Sequence, residues 1–375
     1  MPDSLIFMIS HDIITFTIVI CMMKAVWFSH TKINSAERRS EMKNVERFNA
    51  VMNFEKPDRL PVIEWAGWWG DTLNRWYGEG LSRDIPWDRI QTHLGLDYIR
   101  RVWMPLETPD CPRPASHGAP LIYTEEDYEN FKKYLYPDET NKNWQNKIDI
   151  LKNLKEEHDR GDAVLWYSYD GFFWFPRTLL GIENHLYSFY DEPELYHRIC
   201  SDLADYIISQ LPAIYSLCNP EFMVISEDMS YNNGPMLSEE LFDEFMLPYY
   251  QRIIPEIKKH GTKVIIDSDG DISMMIPWFK RAGIDGVLPL ERQAGVDVGR
   301  LRELYPDFLF IGGFDKMTMP HGEEAMRAEF ERLLPTMKTG GFVPSCDHQT
   351  PPGVSFENYQ IYVRLLGEYA RKAVE

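Results

Sequence analysis

From Asn44 onward, short apolar runs alternate with amphipathic helical stretches, and this alternation is what most restricts the fold. Eight runs qualify as strands: Leu60–Glu64, Asp97–Trp103, Ala163–Ser168, Phe222–Ser226, Lys263–Asp267, Gly286–Leu290, Phe308–Gly312 and Gly341–Ser345. Most are continuous β-branched or aromatic segments, the pattern of strands covered on both faces in a parallel sheet. Arg100 and Arg101 make the second the least regular. Between the runs, Ile199, Leu203, Ile207, Leu211, Ile214 and Leu217 recur at helical spacing. Such a stripe is one apolar helix face. Ser238 is placed to cap a helix running to His260, which Pro248 and Pro255 should kink or divide. Eight strand–helix units predict a single-domain α/β fold, a (β/α)8 TIM barrel over residues 42–375. Residues 105–143 lack that periodicity and are expected to form a small hairpin and helix at the barrel mouth.

Residues 1–41 differ from the rest. The segment 5–28 is strongly apolar, and three readings of it compete. A secretory signal would need a basic start and a small-residue cleavage site, and neither is evident. A membrane anchor would need about 20 apolar residues, and His11, Asp12 and Lys24 interrupt the run. The third reading is upstream sequence outside the native fold, with Met42 as the true start.

The formal net charge is −19. Such a surface repels a phosphate backbone and argues against nucleic acid as a partner. The five cysteines are scattered, without a C-x-x-C pair. That fits a reducing, cytoplasmic setting better than a disulfide framework.

Barrel enzymes carry their chemistry where strands end. The expected ends here are rich in titratable and aromatic residues. Glu227, Asp228 and Glu291 are candidate acids or bases. Trp65, Trp68, Trp69, Asp170, Arg177, Tyr231 and Arg292 are candidates to shape a pocket for a small-molecule substrate, and the tryptophans suit a flat aromatic or macrocyclic one. Asp267 and Asp269 are two residues apart, as are Cys346 and His348, so in extended chain each pair faces one way. Carboxylate, thiolate and imidazole are all acceptable ligands for zinc or another divalent metal. The alternative reading is an acid pair bound to arginine, with Cys346 and His348 buried in the wall.

Several segments together resemble the uroporphyrinogen decarboxylase superfamily. Arg47-Phe48 and Phe54–Val62 are similar to its opening helix and first strand, and Ser238–Tyr250 to its helix after strand four. Gly312-Gly313-Phe314-Asp315 resembles its glycine-rich turn, and Pro351-Pro352 with Glu357-Asn358 its closing segment. One branch decarboxylates uroporphyrinogen without a cofactor, using an Arg-Gln-Ala-Gly-Arg-type loop after the first strand. Here that place reads Ala66-Gly67-Trp68-Trp69-Gly70, without the arginines, and Arg292-Gln293-Ala294-Gly295 is a chance likeness elsewhere. The other branch transfers methyl groups from a corrinoid to a thiol, with zinc on a His-x-Cys pair and a later Cys. Asp267-x-Asp269 stands in place of His-x-Cys, and Cys346 stands near the last ligand. The resemblance therefore implies a methyltransferase-like enzyme working with a corrinoid or a corrinoid protein and a metal at Asp267, Asp269, Cys346 and His348. It also implies a homodimer. The alternatives are a cofactor-free decarboxylase, with Asp228 or Asp267 as proton donor, and a non-catalytic tetrapyrrole-binding barrel.

Overall fold

The structure is a computed structural model that describes residues 41–375. The expectations for the apolar segment at 5–28 lie outside the described residues. Lys43–Glu375 forms one compact unit.

The chain builds a parallel sheet from β1 (Ile99–Trp103), β2 (Val164–Asp170), β3 (Phe222–Ser226), β6 (Lys263–Asp267), β7 (Gly286–Leu288), β8 (Leu309–Phe314) and β9 (Phe342–Cys346), hydrogen-bonded in that order. Two short strands, β4 (Ser230–Tyr231) and β5 (Gly234–Pro235), form an antiparallel hairpin just beyond β3. Helices connect the parallel strands, so the fold is the expected (β/α)8 barrel. Every residue of β3, β8 and β9 is buried, which is why these strands read as unbroken apolar runs.

The eighth barrel position departs from expectation. Leu60–Glu64 forms no ladder, although it occupies the gap between β9 and β1. Side chains stitch it on both sides. The Asp97 carboxylate accepts from the Val62 amide at 3.0 Å, while the Asp97 amide donates to the Val62 carbonyl at 2.7 Å. On the other side, the Ser345 hydroxyl donates to the Ile63 carbonyl at 3.1 Å and accepts from the Trp65 amide at 3.3 Å. Pro61 lacks an N–H, which removes one ladder donor from so short a segment.

The helix Asn44–Met52 closes the N-terminal end of the barrel. Its Phe48 ring stacks on Phe222 at 5.3 Å, and Phe222 stacks on Trp166 at 5.1 Å. All three are at most 1% exposed, so each contributes about 2–3 kcal/mol of burial to the floor. The candidate site residues lie at the opposite, C-terminal ends of the strands.

One further expectation is corrected. Residues 105–143 form no hairpin ladder. They hold one antiparallel bridge, Glu107 to Leu135, and the helix Glu125–Phe131, because Pro105, Pro109, Pro112, Pro114, Pro120 and Pro137 interrupt the run of backbone donors that a ladder needs. The helix begun at Ser238 does divide beside Pro248, as expected, giving Glu239–Phe245 and Leu247–Lys258, whereas Pro255 lies within the second helix and does not end it. The break precedes Pro248, which sits in the first turn of the second helix, where its missing N–H costs nothing. No helix among the described residues is long and apolar enough to cross a membrane.

Candidate active site at the barrel mouth

Parallel register lines up the strand ends. Asp170 pairs with Ser226, Ser226 with Asp267, and Asp267 with Leu288, so Asp170 and Asp267 belong to one layer at the mouth. The turn after β6 then carries Asp269. Its geometry depends on Gly270, whose φ is +82°, where a Cβ would lie 2.6 Å from the Tyr231 backbone. The β4–β5 hairpin is thereby packed directly on the Asp267–Asp271 turn, and the Asp271 amide donates to the Tyr231 carbonyl at 2.9 Å.

Two groups of potential ligands share Asp269. Asp269, Glu291 and His348 bring one oxygen or nitrogen each within 4.8 Å of one another, as do Asp228, Asp267 and Asp269. His348 Nε2 lies 3.4 Å from Asp269, and this contact holds its pKa above the ordinary 6.5. Glu291 accepts from the Gly270 amide at 2.9 Å, which fixes one of its oxygens beside the turn. Burial, reinforced by the Asp269 charge, raises Asp228 to about 6. Burial also raises Asp267 to about 7, against the opposing effect of Arg101. Asp170 is raised to about 7 by burial and then by Glu107, and its Oδ1 is buried without a hydrogen-bond partner among the described residues.

Cys346 is not part of either group. It is wholly buried at the end of β9, its sulfur 3.9 Å from the Thr350 hydroxyl, and burial followed by the neighbouring Glu64 pushes the thiol well above its ordinary value. The end of the strand explains the separation. Cys346 is still in β9, whereas Asp347 and His348 lie beyond its end, where the chain turns. The Cys346 sulfur therefore does not converge with the oxygen and nitrogen atoms around Asp269. The set Asp267, Asp269, Cys346 and His348 therefore does not fit a zinc–thiolate centre. The oxygen-rich set that remains suits a harder divalent cation.

Glu227, expected as a catalyst, is a buried clamp. Its carboxylate accepts from the amides of Phe172, Phe173 and Trp174 at 2.8, 2.7 and 3.2 Å and from the Tyr250 hydroxyl. Four donors use up its acceptor sites. Gly171 is required beside it, since a Cβ there would lie 2.0 Å from the carboxylate. Burial still raises Glu227 to about 7. Arg292 turns back on its own loop, donating to the Val296 carbonyl and lying 3.6 Å from Asp297. Arg177 stacks over Trp174 at 4.9 Å in the wall of a separate cleft with His117 and Ile182. Trp65 is buried and donates from its indole nitrogen to the Cys346 carbonyl at 2.7 Å. Trp68 packs edge-on against Trp76 and Tyr359. Trp69 and Tyr231 are about half exposed, at 48% and 49%.

Two residues at the mouth had been given no role. Arg101 reaches in from β1 and donates to the hydroxyls of Ser168 and Ser226 at 2.9 and 3.3 Å, and it lies 3.8 Å from Asp267. Its signal was a charged residue inside an otherwise apolar strand, which demands a polar interior partner. Glu64 is fully buried, accepts from Ser345 at 2.9 Å and Tyr359 at 3.3 Å, and is raised to about 7 by burial.

The uroporphyrinogen decarboxylase (URO-D) family model matches residues 114–369, more than half of the chain. This chain belongs to the URO-D family. A Myxococcus xanthus (strain DK1622) uroporphyrinogen decarboxylase is 26% identical over 163 residues, covering 44% of each chain, so the match spans less than half of that relative. Among solved structures, a B12-independent methionine synthase from Shewanella sp. W3-18-1 is 12% identical over 60% of this chain and 66% of its own, with a TM-score of 0.39. The Bacillus subtilis mannanase BCman is also 12% identical, over 85% and 88%, with a TM-score of 0.43. URO-D-like enzymes include both decarboxylases and methyltransferases.

Proposed function

We propose that this URO-D-family enzyme transfers a methyl group between a corrinoid, carried free or on a corrinoid protein, and a small acceptor held by a divalent cation. One observation carries the reading: Asp269, Glu291 and His348, from the ends of three different strands, converge within 4.8 Å. These three side chains would hold the cation, and a bound cation lowers the pKa of an acceptor thiol or hydroxyl. The rest of the wall contributes proton handling and shape. Asp228 faces Asp269 from the end of β3 and, with a pKa of about 6, is suited to accept the acceptor's proton near neutrality. Gly270 and the β4–β5 hairpin keep Asp269 and Glu291 in register.

A second reading, decarboxylation, is supported by the Arg101–Asp267 pair. A guanidinium to bind a carboxylate and a carboxyl raised to about 7 to return a proton are what that reaction requires.

Metal analysis of the chain, before and after incubation with Mn²⁺ or Zn²⁺, tests the first reading. We expect about one cation per chain, lost in Asp269→Ala and His348→Ala and retained in Cys346→Ala. Loaded enzyme should then consume methylcobalamin in the presence of a thiol. A chain that holds no cation, or one that loses it in Cys346→Ala alone, defeats this reading. Release of carbon dioxide from a carboxylated substrate without a cation would establish the second.

A further inference from the structure

Beside the acidic groups, on the other side of Arg101, the barrel mouth opens into a cleft lined by Trp65, Trp68, Gln91, Arg101, Trp166 and Gln349. Arg101 is held rigidly at its edge. One face of the guanidinium lies 3.8 Å from the Trp103 ring, and Trp166 lies 4.7 Å away. Nη2 is anchored on Ser168 and Ser226. The remaining donors are poorly matched. Nε is buried and makes no hydrogen bond among the described residues, and the nearest carboxylate, Asp267, is 3.8 Å away, beyond hydrogen-bond length. An unpaired buried donor on a cation costs free energy that an anionic ligand would recover. The two acids in the cleft wall do not play that part. Glu64 is engaged by Ser345 and Tyr359, and Asp88 lies 3.8 Å from Arg89.

Volume decides the size of the ligand. The cleft measures about 140 Å³. A cavity of about 150 Å³ accommodates one benzene molecule, so the enclosed part of this cleft is matched to a single ring. Indole walls favour a flat ring through stacking and edge contacts. The side-chain amides of Gln91 and Gln349 also line the cleft: Gln91 donates to the Glu64 carbonyl at 3.4 Å and accepts from the Ile99 amide at 3.5 Å, and Gln349 makes a long 3.5 Å contact to the Ala66 carbonyl that a ring substituent can replace.

We propose that this cleft binds a single-ring aromatic acid, with its carboxylate on Arg101 and its ring against Trp65, Trp68 and Trp166. The site is separate from Asp269, Glu291 and His348 and does not depend on the cation. It narrows the flat ligand expected from the tryptophans to one ring with an anionic group.

The test is titration of the full chain, in EDTA, with benzoate, benzamide and acetate, followed by calorimetry and tryptophan fluorescence. EDTA keeps the outcome independent of any metal. Benzoate is expected to bind saturably, with benzamide and acetate at least about tenfold weaker, the difference a charge-assisted pair confers. Arg101→Lys should weaken benzoate by about tenfold and leave benzamide unchanged, because an ammonium cannot reproduce the planar fork. Equal binding of benzoate and benzamide, equal binding of acetate, or no saturable benzoate binding would each overturn the proposal. So would unaltered benzoate affinity in a folded Arg101→Lys. If that variant does not fold, the three probes on the wild-type chain decide.

Discussion

Four carboxyls around the barrel mouth and one in its wall share a physical cause, burial, yet have different duties. Glu227 is saturated by donors and holds a turn, whereas Asp228 and Asp267 face one another across the opening. Glu64 is the simplest to test, because it is wholly buried and touches neither proposed ligand group. Its pKa is about 7 in the folded chain against an ordinary 4.5. Below pH 4.5 the group is protonated whether the chain is folded or not, and it imposes no penalty. As pH rises through 4.5 the unfolded chain releases the proton first, so stability falls until the folded group also ionises near pH 7. Urea unfolding of wild type and Glu64→Gln between pH 4.5 and 8 should therefore diverge. Wild type should lose up to about 3 kcal/mol relative to the variant across that window. Parallel curves would show that Glu64 titrates normally.

At the scale of elements, the β6 turn and the β4–β5 hairpin act as one unit. Ser230 and Ser268 share a 3.1 Å hydrogen bond, and Gly270 presses against the Tyr231 backbone. Gly270→Ala adds a Cβ where φ is +82° and backbone lies 2.6 Å away. It should displace Asp269 and weaken cation binding by about tenfold or more without removing a ligand, as strain at such a position costs about 1–3 kcal/mol. Ser238→Ala, which removes the cap bond to the Leu241 amide and a side-chain bond to Glu240, should cost about 1 kcal/mol and leave cation affinity intact. Calorimetric Mn²⁺ titration of both variants separates the two effects, and equal affinities would show that the turn is not held by the hairpin. The hairpin itself was not legible in the sequence. Each of its strands has two residues, too few for any alternation to register. The parallel strands were legible because they are buried on both faces. The acidic groups were legible because each follows a strand. Cys346 was misplaced because β9 runs one residue further than its apolar pattern, which leaves the thiol facing Glu64 instead of the mouth. Arg101 was overlooked for the opposite reason: a charge inside a strand was read as irregularity and not as a partner for the interior.

For the whole molecule, the decisive feature is how the barrel closes. Seven strands are joined by backbone ladders, but 60–65 is held by side chains and a few single backbone bonds, and Asp97 carries most of the seam with β1. Its carboxylate takes two guanidinium bonds from Arg59, at 2.6 and 2.8 Å, besides the Val62 amide, and Arg47 stands 3.9 Å away. The pair is largely shielded, with Arg59 and Asp97 at 19% and 11% exposure. Removing one partner leaves a shielded cation and an orphaned amide, so Asp97→Ala should cost about 3 kcal/mol in urea unfolding. The position of the loss matters more than its size. Glu64 and Trp65 lie within this segment, and Trp68 comes three residues after it, so an opened seam loosens the wall of the Arg101 cleft. Hydrogen exchange should accelerate across 60–66 and at the start of β1, while β3 and β6, paired by ladders on both sides, keep their protection. Cation binding at Asp269, Glu291 and His348 should survive, since those residues follow β6, β7 and β9 on ladder-held strands. Uniform acceleration across all strands would mean instead that the seam unfolds only with the barrel as a whole, and that closure by side chains is as cooperative as closure by a ladder.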